Sequence, residues 1–274
     1  MGVFFDKMGV SMKPVSVIQG TSPVILGMPH VGTYVPEAVT VKLNAEGRRL
    51  RDTDWHIDKL YDGLLPGASV VKANFHRYVI DANRDPSGMS LYPGQNTTGL
   101  VPQTDFDNQP LWADAPEAME SERRLAEWHA PYHAALAAEV ARVKAVHGIA
   151  VVYDCHSIRS RCPFLFDGEL PVLNIGTNDG LTCDPEFARI ATEIAGNSGF
   201  SWVANGRFKG GWTTRHYGQP ERGVHAIQME IAQSAYLAAE DEPWAFEADK
   251  AEPLRRTLAT LLAALEDAAI GGIS

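Results

Sequence analysis

The chain has 274 residues, of which 45% are hydrophobic and 21% are charged. Such a composition is typical of a folded globular protein and excludes a fibrous or disordered chain. The formal net charge of −10 and the sequence pI of about 5.3 leave no global positive field. Because such a field draws proteins to nucleic acids and to anionic membranes, we expect neither as a partner.

The length, the cysteine spacing and the absence of long apolar segments predict the domain organisation and the cellular location. The length fits one large domain and no linker divides it, so residues 1–274 are expected to form a single domain. Three cysteines without regular spacing, Cys155, Cys162 and Cys183, are typical of reduced thiols. The N-terminus lacks the apolar stretch of a signal peptide, and no segment is as apolar as a membrane span. We therefore expect a cytoplasmic protein.

Short β-type runs alternate with longer helical runs, which predicts an α/β fold with a mixed or mostly parallel sheet covered by helices. In chain order, strands are predicted at residues 23–28, 69–73, 78–81, 149–153, 172–175, 200–203 and 224–230. Helices are predicted at residues 52–64, 116–147, 185–197 and 250–268. Pro131 lies inside the longest helical run, so we expect a kink there or two separate helices.

Residues 86–112 are rich in Gly, Pro, Asn, Thr and Asp and show no clear periodicity. A loop of this length inside a compact domain is more often a lid or a binding loop than an accident of the fold. We expect it to border a functional site.

Three predicted strands end in segments that carry a histidine or a glutamate. They are the segments at residues 25–32, 151–157 and 225–230, which contain His30, His156 and Glu230 respectively. Open α/β sheets build their sites in the crevice at the carboxyl ends of the strands. These three side chains are therefore the first candidates for a site.

A hydrolytic zinc site needs about three histidine or carboxylate ligands and one open position for water. His30 and His156 can supply two of them. The third can come from Asp54 or Asp58, which would lie four residues apart on one helical face. The alternative is that these aspartates only cap or decorate a helix start, where negative charge is favoured.

A competing histidine pair, His129 and His133, also stands four residues apart on a predicted helix. No glutamate follows the first histidine, and Pro131 lies between the two, so the pattern of zinc metalloproteases is not met. Surface or core-edge histidines are the preferred interpretation.

Cys155 precedes His156, which raises the possibility of a nucleophile and its base. Successive side chains of a strand point to opposite faces, so these two side chains cannot easily meet. By the same alternation Asp154 shares a face with His156 and can orient its imidazole ring. Cys155 is expected to pack in the core.

Taken in order, these motifs resemble N-formylglutamate amidohydrolases, also called N-formylglutamate deformylases, from about residue 24 to about residue 235. The resemblance is carried by the segments Pro-His30-Val-Gly, Asp-Thr-Asp54, Arg77-Tyr-Val-Ile-Asp-Ala-Asn-Arg84 and Asp-Cys-His156-Ser, and by Glu230. The family looks like a branch of the zinc carboxypeptidase fold, a mixed sheet of about eight strands with helices on both sides.

The resemblance also implies the site chemistry. It implies one zinc ion, or another divalent metal, bound by His30, Asp54 and His156, with Asp54 preferred to Asp58. Glu230 would be the general base that activates water and protonates the leaving nitrogen. The implied reaction is hydrolysis of N-formyl-L-glutamate to formate and L-glutamate, the last step of histidine degradation, by a single catalytic domain.

The pair Asn83 and Arg84 is similar to the pair with which carboxypeptidase-like enzymes hold a terminal carboxylate, because a guanidinium matches a carboxylate bidentately. The structural alternative is an ordinary turn. A glutamyl substrate has two carboxylates, so further arginines are needed, and Arg77, Arg159 and Arg215 are the candidates. Six arginines in all recur near the motifs: Arg77, Arg84, Arg159, Arg161, Arg207 and Arg215.

Other functions stay open from the sequence. The same chemistry fits a deacylase or peptidase that acts on another N-acyl amino acid. A non-catalytic dicarboxylate-binding protein is a second alternative. The presence of Glu230 and the two histidines argues against it. A cysteine hydrolase is the third.

Overall fold

The structure is a computed structural model that describes residues 4–5, 11–90 and 92–272. The N-terminal stretch used for the signal-peptide prediction lies partly outside the described residues. The strands are β1 (Phe4–Phe5), β2 (Ser11–Met12), β3 (Val15–Ile18), β4 (Val24–Met28), β5 (Ser69–Ala73), β6 (Ala150–Ile158), β7 (Leu173–Gly176), β8 (Trp202–Ala204) and β9 (Val224–Ala232). The α-helices are α1 (Glu37–Thr40), α2 (Ile57–Tyr61), α3 (Ala118–Arg124), α4 (Ala130–His147), α5 (Pro185–Asn197), α6 (Trp212–Tyr217) and α7 (Ala248–Gly271).

Within the described residues, seven strands form one mixed sheet in the order β3-β5-β4-β6-β9-β7-β8. The central pairings β5–β4, β4–β6 and β6–β9 are parallel. Strands β3 and β7 run antiparallel to β5 and β9. The predicted α/β class with a mixed, mostly parallel sheet flanked by helices is confirmed, although this sheet has seven strands where the resemblance implied about eight.

Two hydrophobic cores lie on opposite faces of the sheet because strand side chains alternate. One core contains Tyr153, Cys155 and Met229, packed with residues of α2, α5 and α7. The other contains Val152 and Ala226, packed with residues of α4. Strands β6 and β9 are buried along their whole length, as expected for strands covered on both faces. Cys155 is a core residue, as predicted.

Near the carboxyl ends of β6 and β9, the side chains on one face of the sheet are polar instead of apolar. His156 is the register partner of Glu230, and Asp154 is the partner of Gln228, across the parallel pairing. All four side chains are at least nine-tenths buried. The register therefore places them side by side at one sheet edge.

Two predicted elements were wrong. Residues 78–81 form a buried turn instead of a strand, and the carbonyls of Tyr78 and Val79 accept hydrogen bonds from the Arg124 guanidinium instead of a neighbouring strand. The helix predicted at residues 52–64 is reduced to α2, because His56 before it has a left-handed φ of 59°.

The long helical run is divided, as Pro131 predicted. A π-helical turn, Leu125–His129, connects α3 to α4, and Pro131 lies in the first turn of α4. The N–H of Ala130 reaches back five residues to the carbonyl of Leu125, so the π-helical turn leads directly into α4. None of the helices among the described residues combines the length and the apolar character that a membrane span requires.

Candidate active site

Three donor atoms from three separate segments meet at the sheet edge. His30 follows β4, Asp54 precedes α2, and His156 lies on β6. Nδ1 of His30 is 3.2 Å from Nδ1 of His156 and 3.7 Å from Oδ2 of Asp54. Nδ1 of His156 is 3.2 Å from the same carboxylate oxygen. All three side chains are buried, and together they can hold a metal ion.

Carboxylates on the far side of each ring orient the two histidines. Nε2 of His30 lies 2.7 Å from Oδ1 of Asp81, and Nε2 of His156 lies 3.1 Å from Oδ1 of Asp154. With the ring proton of each neutral imidazole on Nε2, facing the carboxylate, each Nδ1 would keep a lone pair directed at the shared point. This arrangement is common around metal-binding histidines. It confirms the predicted neighbourhood of Asp154 and His156.

The donor set fits a cation. Two imidazole lone pairs and a carboxylate oxygen at such short separations repel one another unless positive charge lies between them. Burial opposes ionisation of Asp54, but its contacts with His30 and His156 and the charge of Arg77 lower its pKa below the ordinary value. Two histidines and one carboxylate are also a ligand set that zinc accepts in catalytic sites.

The main chain holds Asp54 in place. Its N–H donates to the carbonyl of His30, and its Oδ2 accepts from the N–H of Ser157. Asp58, the alternative ligand, is 45% exposed and pairs with Lys72 at 2.9 Å. Asp54 precedes α2, so the two aspartates do not share a helical face as the sequence suggested.

Glu230 lies next to His156 on β9 and is 7% exposed. Gln228 donates a hydrogen bond of 3.0 Å to its Oε2. Burial raises the pKa of Glu230 to about 7, although the charges of His156 and Arg77 act in the opposite direction. A carboxylate with a pKa near neutrality suits a group that both accepts and returns a proton.

A cavity opens over these residues. Its wall includes the two histidines, Glu230, three arginines and part of the long loop: His30, Arg77, Asn83, Arg84, Tyr92, Thr97, Thr98, Phe106, His156, Arg207, Phe208, Gly211, Gln228 and Glu230. Residues 86–112 thus border the site, as expected for a binding loop. Arg77 contacts Nδ1 of His30 and lies 3.5 Å from Oδ1 of Asp54, so it is the arginine nearest the three donors.

Asn83 and Arg84 both lie in the cavity wall and are rigidly held. Oδ1 of Asn83 accepts a 2.8 Å hydrogen bond from the N–H of Thr213, and the main-chain N–H of Asn83 donates to Oδ1 of Asp81 at 2.8 Å. Arg84 donates to the carbonyl and the hydroxyl of Thr98 at 2.8 and 2.9 Å.

The histidine pair on the helical run supports this segment from behind. Nε2 of His129 lies 3.0 Å from the carbonyl of Arg84, and Nε2 of His133 lies 2.7 Å from the carbonyl of Ala82. In each ring, Nε2 lies within hydrogen-bonding distance of a main-chain carbonyl. This agrees with the preferred interpretation of both histidines as core-edge residues.

The other predicted arginines lie elsewhere. Arg159 forms a 2.9 Å ion pair with Asp107. Arg215 lies in α6 and donates to the carbonyl of Gly210 at 2.9 Å. Neither lines the cavity in the described part of the chain.

With this geometry established, comparison with known proteins defines the family. A family model described as N-formylglutamate amidohydrolase matches residues 22–237. The chain belongs to this family. The resemblance predicted from the motifs is confirmed.

Two relatives of the amidohydrolase family are named N-formylglutamate deformylase. The protein of Pseudomonas aeruginosa is 49% identical over 251 residues, which cover 90% of this chain and 94% of that protein. The protein of Pseudomonas putida is 46% identical over 257 residues, which cover 92% of this chain and 96% of that protein. The crystal structure of N-formylglutamate amidohydrolase from Ralstonia eutropha matches with a TM-score of 0.76 and 26% identity, covering 93% of this chain and 98% of that one.

Sequence reasoning assigned no role to two residues of this N-formylglutamate amidohydrolase site. Asp81 lies inside the motif between Arg77 and Arg84 and contacts His30, a relation that no spacing rule predicts because the residues are 51 positions apart. Arg207 was one of the six recurring arginines, yet it was left out of the substrate-binding prediction. Only the cavity identifies it.

Proposed function

We propose that the protein hydrolyses N-formyl-L-glutamate to formate and L-glutamate with a zinc ion held by His30, Asp54 and His156. The described residues would act as one catalytic domain at the end of a histidine-degradation route. The names of the two Pseudomonas relatives support the substrate. The histidine and aspartate donor set supports the metal.

One observation carries the proposal. The two histidines of the donor group line the same cavity as Glu230 and the arginines Arg77, Arg84 and Arg207. A metal site, a proton-transfer group and cationic anchors for an anionic substrate are thus found within one space, which is what hydrolysis of a charged N-acyl amino acid requires.

Zinc, Glu230 and Arg77 have different roles in the reaction. Bound zinc supplies Lewis-acid polarisation of the amide carbonyl and acidification of water. Glu230 accepts the proton from the attacking water and passes it to the leaving nitrogen, so the C–N bond breaks to give formate and the free amine. Arg77, next to the donor group, stabilises the negative charge that develops on the carbonyl oxygen.

Asn83 and Arg84 orient the substrate. The guanidinium of Arg84 binds the α-carboxylate, and the fixed amide of Asn83 adds a directional hydrogen bond. Their hydrogen bonds to Thr213 and Thr98 hold both groups ready before substrate arrives. This preorganisation lowers the entropy that binding must overcome.

The test is formate release by the purified protein, together with metal analysis. We expect about one zinc ion per chain, activity on N-formyl-L-glutamate, loss of activity on chelation and its recovery when zinc is added back. Replacing His30 or His156 by Ala should remove most of the metal. Full zinc content in both variants, or no formate from the zinc-loaded protein, would contradict the proposal.

A further inference from the structure

Arg207 lines the cavity, and the mechanism above assigns no group of the substrate to it. Its Nε donates to the carbonyl of Leu165 at 2.9 Å, and its Nη2 donates to the carbonyl of Asn96 at 2.7 Å. The guanidinium carbon lies 5.6 Å from the centre of the Tyr92 ring and 5.4 Å from that of Phe208. Two carbonyls and the Tyr92 ring from distant parts of the chain, together with the ring of the adjacent Phe208, therefore hold this side chain.

The charge of Arg207 is not neutralised by the described residues, since none of their carboxylates lies within ion-pairing distance of it. Other arginines near the site do have anionic partners. Arg77 lies 3.5 Å from Asp54, and Arg159 lies 2.9 Å from Asp107. A guanidinium held in the wall of a cavity by neutral groups alone is suited to an anion that comes from outside the protein.

The donors of Arg207 are also incompletely used. A guanidinium has five N–H donors, and two of the three nitrogens make the hydrogen bonds to Leu165 and Asn96. In the described structure Nη1 has no hydrogen-bond partner. Burial, together with repulsion from Arg84, lowers the pKa of Arg207, as expected for a cation held without an anionic partner.

The chemistry of the substrate supplies that anion. N-formylglutamate carries two carboxylates, and Arg84 accounts for one of them in the proposed function. Of the three arginines in the cavity wall, Arg77 lies 3.5 Å from Asp54 and Arg84 lies 3.6 Å from Asp81, which leaves Arg207 without a carboxylate partner among the described residues. Arg207 and Arg84 both lie in the wall and are held by different parts of the long loop, Asn96 and Thr98.

We propose that Arg207 binds the side-chain carboxylate of the substrate and thereby sets the preference for N-formylated acidic amino acids over neutral ones. This inference rests on the proposed function. It replaces Arg77, Arg159 and Arg215, the candidates for the second carboxylate anchor predicted from the sequence. Tyr92 and Phe208 act as the walls that keep the guanidinium plane in position.

The test compares N-formyl-L-glutamate with N-formyl-L-glutamine, which has nearly the same shape but no side-chain charge. In R207M we expect kcat/KM for the glutamate substrate to fall about 10- to 100-fold, with little change for the glutamine substrate. R207K keeps the charge but loses the planar fork, so an intermediate loss of discrimination is expected. The R161M variant is the control, because Arg161 is 65% exposed and pairs with Glu169.

Two outcomes would overturn the inference. One is an unchanged preference for the glutamate substrate in R207M, or in R207K should R207M fail to fold. The other is the same loss of preference in R215M, which would assign the carboxylate to Arg215, whose guanidinium also lies over the Tyr92 ring.

A binding experiment separates this inference from the proposed function. If the wild-type protein released no formate, the proposed function would fail, yet calorimetric titration with L-glutamate and L-glutamine would still test Arg207. Selective loss of L-glutamate binding in R207M supports the assignment. Equal binding of L-glutamate by wild type and R207M contradicts it.

Discussion

The buried aspartates around the two site histidines each have a partner within a few ångströms. Asp81 faces His30, and Asp154 faces both His156 and the hydroxyl of Thr214, which donates to it at 3.0 Å. An unpaired buried carboxylate would cost several kcal/mol, so such pairing is what allows the charges to be buried. The same pairing directs both Nδ1 atoms at Asp54.

Asp81→Asn tests whether this orientation matters. The amide still accepts a hydrogen bond from His30 but no longer increases the basicity of the ring, so zinc affinity should fall by about 10- to 100-fold. Competition with a chelator of known affinity measures it. Asp58→Asn, at an exposed carboxylate paired with Lys72, is the matched control. Equal zinc affinity in both variants would show that Asp81 has only a structural role.

Glu230→Gln tests proton transfer. Glutamine keeps the size of the side chain and can still interact with Gln228, but it cannot accept a proton. We expect kcat to fall about a hundredfold to ten-thousandfold while zinc content and thermal stability stay near wild type. Activity close to wild type would exclude the role, and loss of zinc would identify Glu230 as a ligand instead.

At the level of secondary structure, the register of two strands and the start of a short helix position the site. Strands β6 and β9 pair in parallel and place His156 beside Glu230. Helix α6 follows Gly211, whose N–H donates to Gln228 at 2.7 Å. A Cβ on Gly211 would come within 2.2 Å of Nδ2 of Asn83. The helix can approach the cavity this closely only with glycine at that position.

We therefore predict that Gly211→Ala causes a local steric clash. Gly211 has φ −78° and ψ −166°, an extended conformation that alanine adopts readily, so the backbone itself is not strained. The methyl group must displace the Asn83 amide, and we expect KM for N-formylglutamate to rise at least about tenfold. Steady-state kinetics measure this. Gly271→Ala is the control, since a Cβ there meets nothing within 4 Å. Unchanged KM in Gly211→Ala would mean that Asn83 moves aside without loss.

Across the whole molecule, helices cover both faces of the sheet, and several histidines are buried between layers without a carboxylate partner. His133 lies under Tyr217 and is held by the carbonyl of Ala82. Burial lowers its pKa to about 3, with the neighbouring His129 acting in the same direction. The folded protein thus keeps this ring neutral where an unfolded chain would protonate it.

The sign of the resulting pH effect follows from proton binding. Below the unfolded pKa of 6.5 and above about 3, the unfolded state binds one more proton at His133 than the folded state. Stability is therefore fully present above pH 6.5 and is lost as pH falls through this window, by up to about 1.4 kcal/mol per pH unit. Denaturant unfolding at a series of pH values should show a shallower acid slope in His133→Gln than in wild type or His147→Gln. Parallel slopes in all three would contradict this.

Sequence patterns alone determined the fold class, most element positions and the main site candidates. The strand at residues 69–73 and the helix at residues 185–197 were predicted with their observed ends, because periodicity and capping are local properties. Alternation along β6 correctly separated Cys155 from the face of Asp154 and His156, because a two-residue repeat needs no tertiary information.

Only the tertiary structure decided which charges meet. Asp81 and His30 are 51 positions apart, and their contact depends on how a buried turn packs against the end of β4. Arg207 reaches the cavity, while Arg215 donates instead to the carbonyl of Gly210. Contacts of this kind come from chain packing over long sequence separations, for which local patterns carry no signal. The sequence thus specifies which chemical groups are available, and the packed sheet and loops determine which of them share one space.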